Sequence, residues 1–138
     1  MSKATALHMV RNMLFSENHY DIDKVREVIN VMNAFPTVLH INLHGCLLLA
    51  YNRHSAIEAG GVQTVLSVMS SFPESVAILQ YDCFALHKFS DSFDVSALLS
   101  TNGVVNLLRR ASCVLAQYHE SHGQNYAADI LRNNGYSL

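Results

Sequence analysis

The sequence predicts an all-α protein built as a short stack of helical repeats. Three observations carry this: the chain matches itself at a fixed offset, its apolar residues recur at helical spacing, and its two prolines fall at the same place in successive units. At an offset of 37, Val25, Val28, Val31, Met32, Phe35, Pro36, Cys46, Leu49 and Ser55 fall on Val62, Val65, Val68, Met69, Phe72, Pro73, Cys83, Leu86 and Ser92, and each pair is identical. Such a self-match marks a unit that leaves an apolar face uncovered until a neighbouring unit stacks on it.

A further offset of 42 brings Gly61, Val62, Ala85 and Phe89 onto Gly103, Val104, Ala127 and Leu131, and Val65-Leu66 onto Leu107-Leu108. Ala6-Leu7-His8 precedes Ala85-Leu86-His87 by 79 residues, the sum of the two offsets, so the N-terminal segment reads as the closing helix of a truncated unit. The chain is then one domain, residues 1–138, made of a partial unit or cap (1–24), two repeats (25–61 and 62–103) and a C-terminal repeat or cap (104–138). The difference between the two offsets is placed in the loop at residues 92–96, where added length carries little entropic cost.

Within each unit the chemistry reads helix, turn, helix. Val62, Val65, Leu66, Val68 and Met69 form a helical stripe, as do the equivalents from Val25 to Met32. Phe35-Pro36 and Phe72-Pro73 end these helices, because proline lacks an amide donor and disfavours helical geometry in the residue before it. Longer helices follow over about 38–52 and 76–90, the latter placing Leu79, Cys83, Leu86 and Phe89 on one side, with a third over 122–133. Between units, 56–61 and 97–103 read as short helical turns closed by glycine in the left-handed conformation.

The run Ile57-Glu58-Ala59-Gly60-Gly61-Val62, then Val65-Leu66, a loop, and Cys83-Phe84-Ala85-Leu86 resembles the armadillo repeat of beta-catenin and importin-alpha. The glycine pair favours armadillo over the related HEAT repeat. The resemblance implies three helices per unit, a right-handed α-solenoid of about three repeats plus the partial one, and a concave groove lined by the third helices. It also implies a protein or peptide partner held in that groove.

In importin-alpha-like members a Trp and an Asn four residues apart on the third helix hold an extended peptide. The resemblance puts the Trp position at Leu47, Phe84 and Tyr126 and the Asn position at Tyr51, Lys88 and Ile130. The asparagine is missing from every unit, which argues against a receptor for nuclear-localisation signals. The candidate partner-binding residues are Leu47, Tyr51, Phe84, Lys88, His122 and Tyr126, with His87 nearby. Aromatic residues at helical spacing are as readily buried between repeats as displayed, so both alternatives stay open for Phe84 and Tyr126. Tyr51 and Lys88 have polar ends that favour contact with water.

Charge and composition bound the function. Only 14% of residues are charged, against about 25% in an ordinary soluble domain, and the net charge is −2. That balance supplies no field for nucleic acid or anionic lipid, and Arg109-Arg110 is too small a basic patch to change it. No stretch has the roughly 18–20 apolar residues of a membrane span. The N-terminus lacks the continuous apolar core of a signal peptide. Cys46, Cys83 and Cys113 have no paired spacing and suit a reducing compartment, so a cytoplasmic location with nuclear access possible is expected.

No metal, cofactor or catalytic residue is expected. His40 and His44 are four apart on one helix face, but two ligands fall short of the three or four a zinc site uses. Cys46 and Cys83 read as small buried hydrophobes. The alternative to a binding groove is self-assembly, as a homodimer through the apolar N-terminal helix with Leu7, Met9, Val10, Met13 and Leu14, or as part of a longer array.

Overall fold

The computed structural model describes residues 1–16, 19–117 and 124–138. Among these residues the chain forms nine helices and no strand: α1 (Lys3–Phe15), α2 (Ile22–Ala34), α3 (Leu39–Tyr51), α4 (Arg53–Glu58), α5 (Gly61–Ser71), α6 (Val76–Phe89), α7 (Val95–Leu99), α8 (Val104–Ala116) and α9 (Tyr126–Asn133).

Helix starts follow from side chains that accept otherwise unpaired amide hydrogens. Asp21 Oδ1 accepts from the Lys24 N–H at 3.1 Å, Ser75 Oγ from Ile78 at 3.4 Å and Asn125 Oδ1 from Ala128 at 3.0 Å. The two Phe-Pro stops are near copies of each other. Phe35 has φ −127° and ψ 60°, Phe72 has φ −129° and ψ 60°, and their carbonyls accept from Val38 and Ser75 respectively.

Gly60 (φ +88°) and Gly103 (φ +87°) stand immediately before α5 and α8 in the left-handed conformation expected of the inter-unit turns. Their equivalence corrects the sequence register. The offset of 42 had paired Gly61 with Gly103, whereas the matching backbone pairs Gly60 with Gly103, an offset of 43. Burial agrees: Val65, Val68 and Met69 then fall on Leu108, Ala111 and Ser112, all buried. The offset of 42 holds in the following helix, where Ala85 and Phe89 match Ala127 and Leu131, each fully enclosed. The added length lies mainly between α6 and α7, whose link is residues 90–94, against Asn52 alone between α3 and α4.

Packing sets the helices in two rows. α3 lies between α1 and α6, and α6 also packs on α9; α5 packs against both α2 and α8. α2 with α3, α5 with α6 and α8 with α9 join the rows. The core between them contains Val25, Met32, Ile41, Leu49, Met69, Leu79, Leu86 and Phe89, all essentially without solvent exposure. Ala6 and Val10 of α1 are as enclosed as Ala85 and Phe89, their counterparts at the offset of 79.

Two polar side chains, Asn52 and Ser55, fix the segment before α2. Asn52 accepts from the Tyr20 N–H at 2.8 Å and donates to the Leu48 carbonyl at 2.9 Å, while Ser55 Oγ donates to the Tyr20 carbonyl at 3.1 Å. The entry to α2 is thereby tied to the α3–α4 junction.

Candidate functional site

The row α1, α3, α6 presents an aromatic ladder to solvent. Tyr51, at the end of α3, meets Phe84 of α6 edge-on with ring centroids 6.1 Å apart. Phe84 in turn meets Tyr126 of α9 at 5.5 Å, and His87 lies 4.8 Å from Tyr126. Lys88 Nζ stands 5.5 Å from the centre of the Phe84 ring, within cation–π range. Four of the expected contact residues, Tyr51, Phe84, Lys88 and Tyr126, are therefore one continuous surface. The question of burial resolves between the alternatives: Phe84 and Tyr126 are half-buried, whereas Tyr51 is 55% exposed.

Leu47, one turn before Tyr51, is half-buried and lines a cleft of about 460 Å³ with Met13, Leu14, Phe15 and His19. Ile130, equivalent to Tyr51 and Lys88 in the repeat, is only 4% exposed and contributes no open surface. His122 lies outside the described residues.

A second depression of about 480 Å³ lies beyond Tyr51, lined by His19, Tyr20, Arg53, His54 and Lys88 among others. Tyr51 is the ridge between the two. Among the described residues no carboxylate lines either one. Arg53 reaches Asp91 at 3.3 Å, a surface pair of small energetic weight.

Sequence reasoning missed the wall supplied by α1. Phe15 is 70% exposed at the mouth of the first cleft and meets the His44 ring edge-on at 6.2 Å. Arg11 Nε donates to His44 Nε2 at 3.3 Å, and His40 stacks on His44 with centroids 6.1 Å apart. Partial burial, then Arg11, then His40 hold the His44 pKa below its ordinary value, so the ring stays neutral and accepts from Arg11. This leaves the His40–His44 pair without a free Nε2 on His44. Arg11 and Phe15 escaped notice because they follow Val10, the counterpart of Phe89 at the end of α6; they belong to an extension of α1 that no repeat position foretells. Their spacing of four on a helix was the available signal.

The titratable groups of the interior are set apart from this surface. Cys46 and Cys83 are fully enclosed, as expected of packing residues, and burial pushes both thiols upward, with Asp82 adding to the effect. Asp82 is itself fully enclosed, and neither carboxyl oxygen has a hydrogen bond of ordinary geometry. Burial drives its pKa well above the carboxylate range, the Cys46 thiol being a weak opposing donor. Among the described residues no three His, Cys, Asp or Glu side chains converge as a metal-sized group, and no helix is long and apolar enough to cross a membrane.

No family model, curated protein or solved structure matches this chain.

Proposed function

We propose that this chain is a protein-interaction module, an armadillo-type stack of about three units and a partial one, that holds a peptide or a helix of a partner along α1, α3, α6 and α9. The observation that carries the reading is the Tyr51–Phe84–Tyr126 ladder, which runs across three helices beside an open apolar cleft. Half-buried aromatic rings lose little conformational entropy on contact and contribute large apolar area, which is why such residues recur at interface hot spots. The two rows of helices, the duplicated Phe-Pro turns and the left-handed glycines support the repeat assignment.

Binding without reaction chemistry fits the same features. The buried Asp82, Cys46 and Cys83 are enclosed, and the exposed ladder offers rings, a lysine and histidines rather than a nucleophile set beside a base. A cytoplasmic setting suits the unpaired cysteines.

Changing Tyr51 and Lys88 together to alanine removes the ridge and its neighbouring cation while leaving every fully buried side chain in place. We expect loss of partner capture from the source cell with an unchanged melting temperature. Undiminished capture by the double variant would place the interface elsewhere.

Self-assembly through the N-terminal end is the second reading. Leu7, Met9, Met13 and Leu14 of α1 are half-buried against the core, so that end offers less free apolar surface than the sequence alone suggests. A monomer by light scattering at high micromolar concentration would dispose of it.

A further inference from the structure

We propose that the occupant of the groove is an acidic peptide segment, one whose apolar anchor enters the cleft beside Leu47 and whose Asp or Glu, a few residues away, lies across Tyr51 in the depression beside Lys88. This rests on the groove reading above and adds to it the chemistry of the guest.

Charge distribution carries the inference. α1 and α3 contain no aspartate or glutamate, and α6 contains Asp82 alone, which is enclosed in the core. Exposed on these same helices are His8, Arg11 and His40, with His87 and Lys88 half-buried, and half-buried Arg53 and exposed His54 follow at the α3–α4 junction. The chain as a whole is acidic by −2, and its described carboxylates outside the core lie at α2, on α4 and in the loops before α6 and α7, save Asp129 on α9, which accepts from Gln124. A surface of one sign on α1, α3 and α6, on a chain of the other, favours a ligand of complementary charge and disfavours a basic one.

The two depressions divide the work. The one formed with α1 is walled by Met13, Leu14, Phe15 and Leu47, which match an aliphatic or aromatic side chain. The one beyond Tyr51 presents His19, Arg53, His54 and Lys88 with no lining carboxylate among the described residues. Arg53 already has Asp91, whereas Lys88 has no carboxylate partner among the described residues and rests over Phe84. Lys88 is therefore the cation a guest carboxylate would gain, and the half-buried position strengthens such a pair relative to one in open water.

The test is selection of random dodecapeptides on the full chain at low ionic strength, followed by titration of the selected peptides. We expect enrichment of sequences with a Leu, Phe or Trp near an Asp or Glu. Amidating that acid (Asp to Asn, Glu to Gln) should weaken binding about tenfold to the parent chain and leave it nearly unchanged with Lys88→Gln, so that the two changes are coupled in a double-mutant cycle. Selected peptides that are neutral or basic, yet lose binding on Tyr51→Ala, would overturn the acidic guest and keep the groove. Acidic peptides whose loss on amidation persists fully in Lys88→Gln would overturn the placement at Lys88. Absence of any peptide sensitive to Tyr51→Ala would overturn the groove reading and this inference with it. Tyr51 and Lys88 are not fully enclosed, and an unchanged melting temperature for each variant excludes misfolding as the cause.

Discussion

Asp82→Asn should stabilise the protein at neutral pH, by an amount that grows with pH. The carboxyl of Asp82 lies at the α3–α6 contact, fully enclosed, with the Cys46 thiol beside it and no ordinary hydrogen bond. Ionising it there would place an unpaired charge in a low-dielectric interior, so the folded chain keeps the proton. The unfolded chain, with the group at its ordinary 3.8, gives that proton up. Between 3.8 and the raised folded value the native state thus binds one proton more than the unfolded state, and stability falls by about 1.4 kcal/mol for each pH unit of increase. The stabilising share of the protonated group is fully present below 3.8 and is lost as the pH climbs through the folded value.

Asparagine keeps the shape of a protonated carboxyl and has nothing to titrate. Urea denaturation of both chains in reducing buffer, followed by circular dichroism from pH 4 to pH 8, isolates the residue because every other group cancels in the difference. The difference should rise along a line of about 1.4 kcal/mol per pH unit and level off only where the native Asp82 ionises. A flat difference across that range would mean that the carboxyl ionises freely in the folded state, and the enclosure argued for it would be wrong.

Two further changes test the frame of the fold. Asn52→Ala should cost about 1–3 kcal/mol, lowering the melting temperature by roughly 3–10 °C, since the partly buried Tyr20 N–H loses its acceptor; a change within error would show that water replaces the side chain at no cost. Gly60→Ala and Gly103→Ala should each cost about 1–2 kcal/mol in urea denaturation, and nearly the same amount. Both have φ near +88° and neither has an atom within 4 Å of an added Cβ, so the penalty is one of backbone conformation alone. A much larger loss at one of them would contradict the equivalence of the two turns.

The helical frame was legible because its determinants are local and duplicated. Phe35-Pro36 and Phe72-Pro73 announce the same stop twice, and Val28, Val31 and Met32 repeat as Val65, Val68 and Met69 with the burial their spacing predicts. Register in the third unit was legible only to within one residue, since the value of φ, rather than the presence of a glycine, distinguishes Gly60 from Gly61. The ladder Tyr51, Phe84, Lys88 and Tyr126 came from positional equivalence. Arg11 and Phe15 did not, because a side chain that joins a surface through tertiary packing leaves no trace at a repeat position. Asp82 was similarly silent: its sequence neighbours are Tyr81 and Cys83, while the group that matters to it, Cys46, comes from another helix.

The same comparison of positions bears on how a guest would be read. Core positions keep their chemistry between units: Cys46 and Cys83, Leu49 and Leu86, and Ala85 and Ala127 are identical and enclosed. Surface positions of the row do not. Leu47, Phe84 and Tyr126 differ at one place in the repeat, and Tyr51, Lys88 and the enclosed Ile130 differ at another. A groove that gripped only a peptide backbone would repeat the same polar residue at each step, because the backbone it reads repeats. Here the first step offers an apolar cleft and an exposed phenol, and the second a ring and a cation. On the proposed reading the stack is built from what repeats, and the partner is selected side chain by side chain by what does not. A poly-alanine peptide of matching length should therefore bind far more weakly than an anchored acidic one, and comparable affinities for the two would show that backbone contacts dominate.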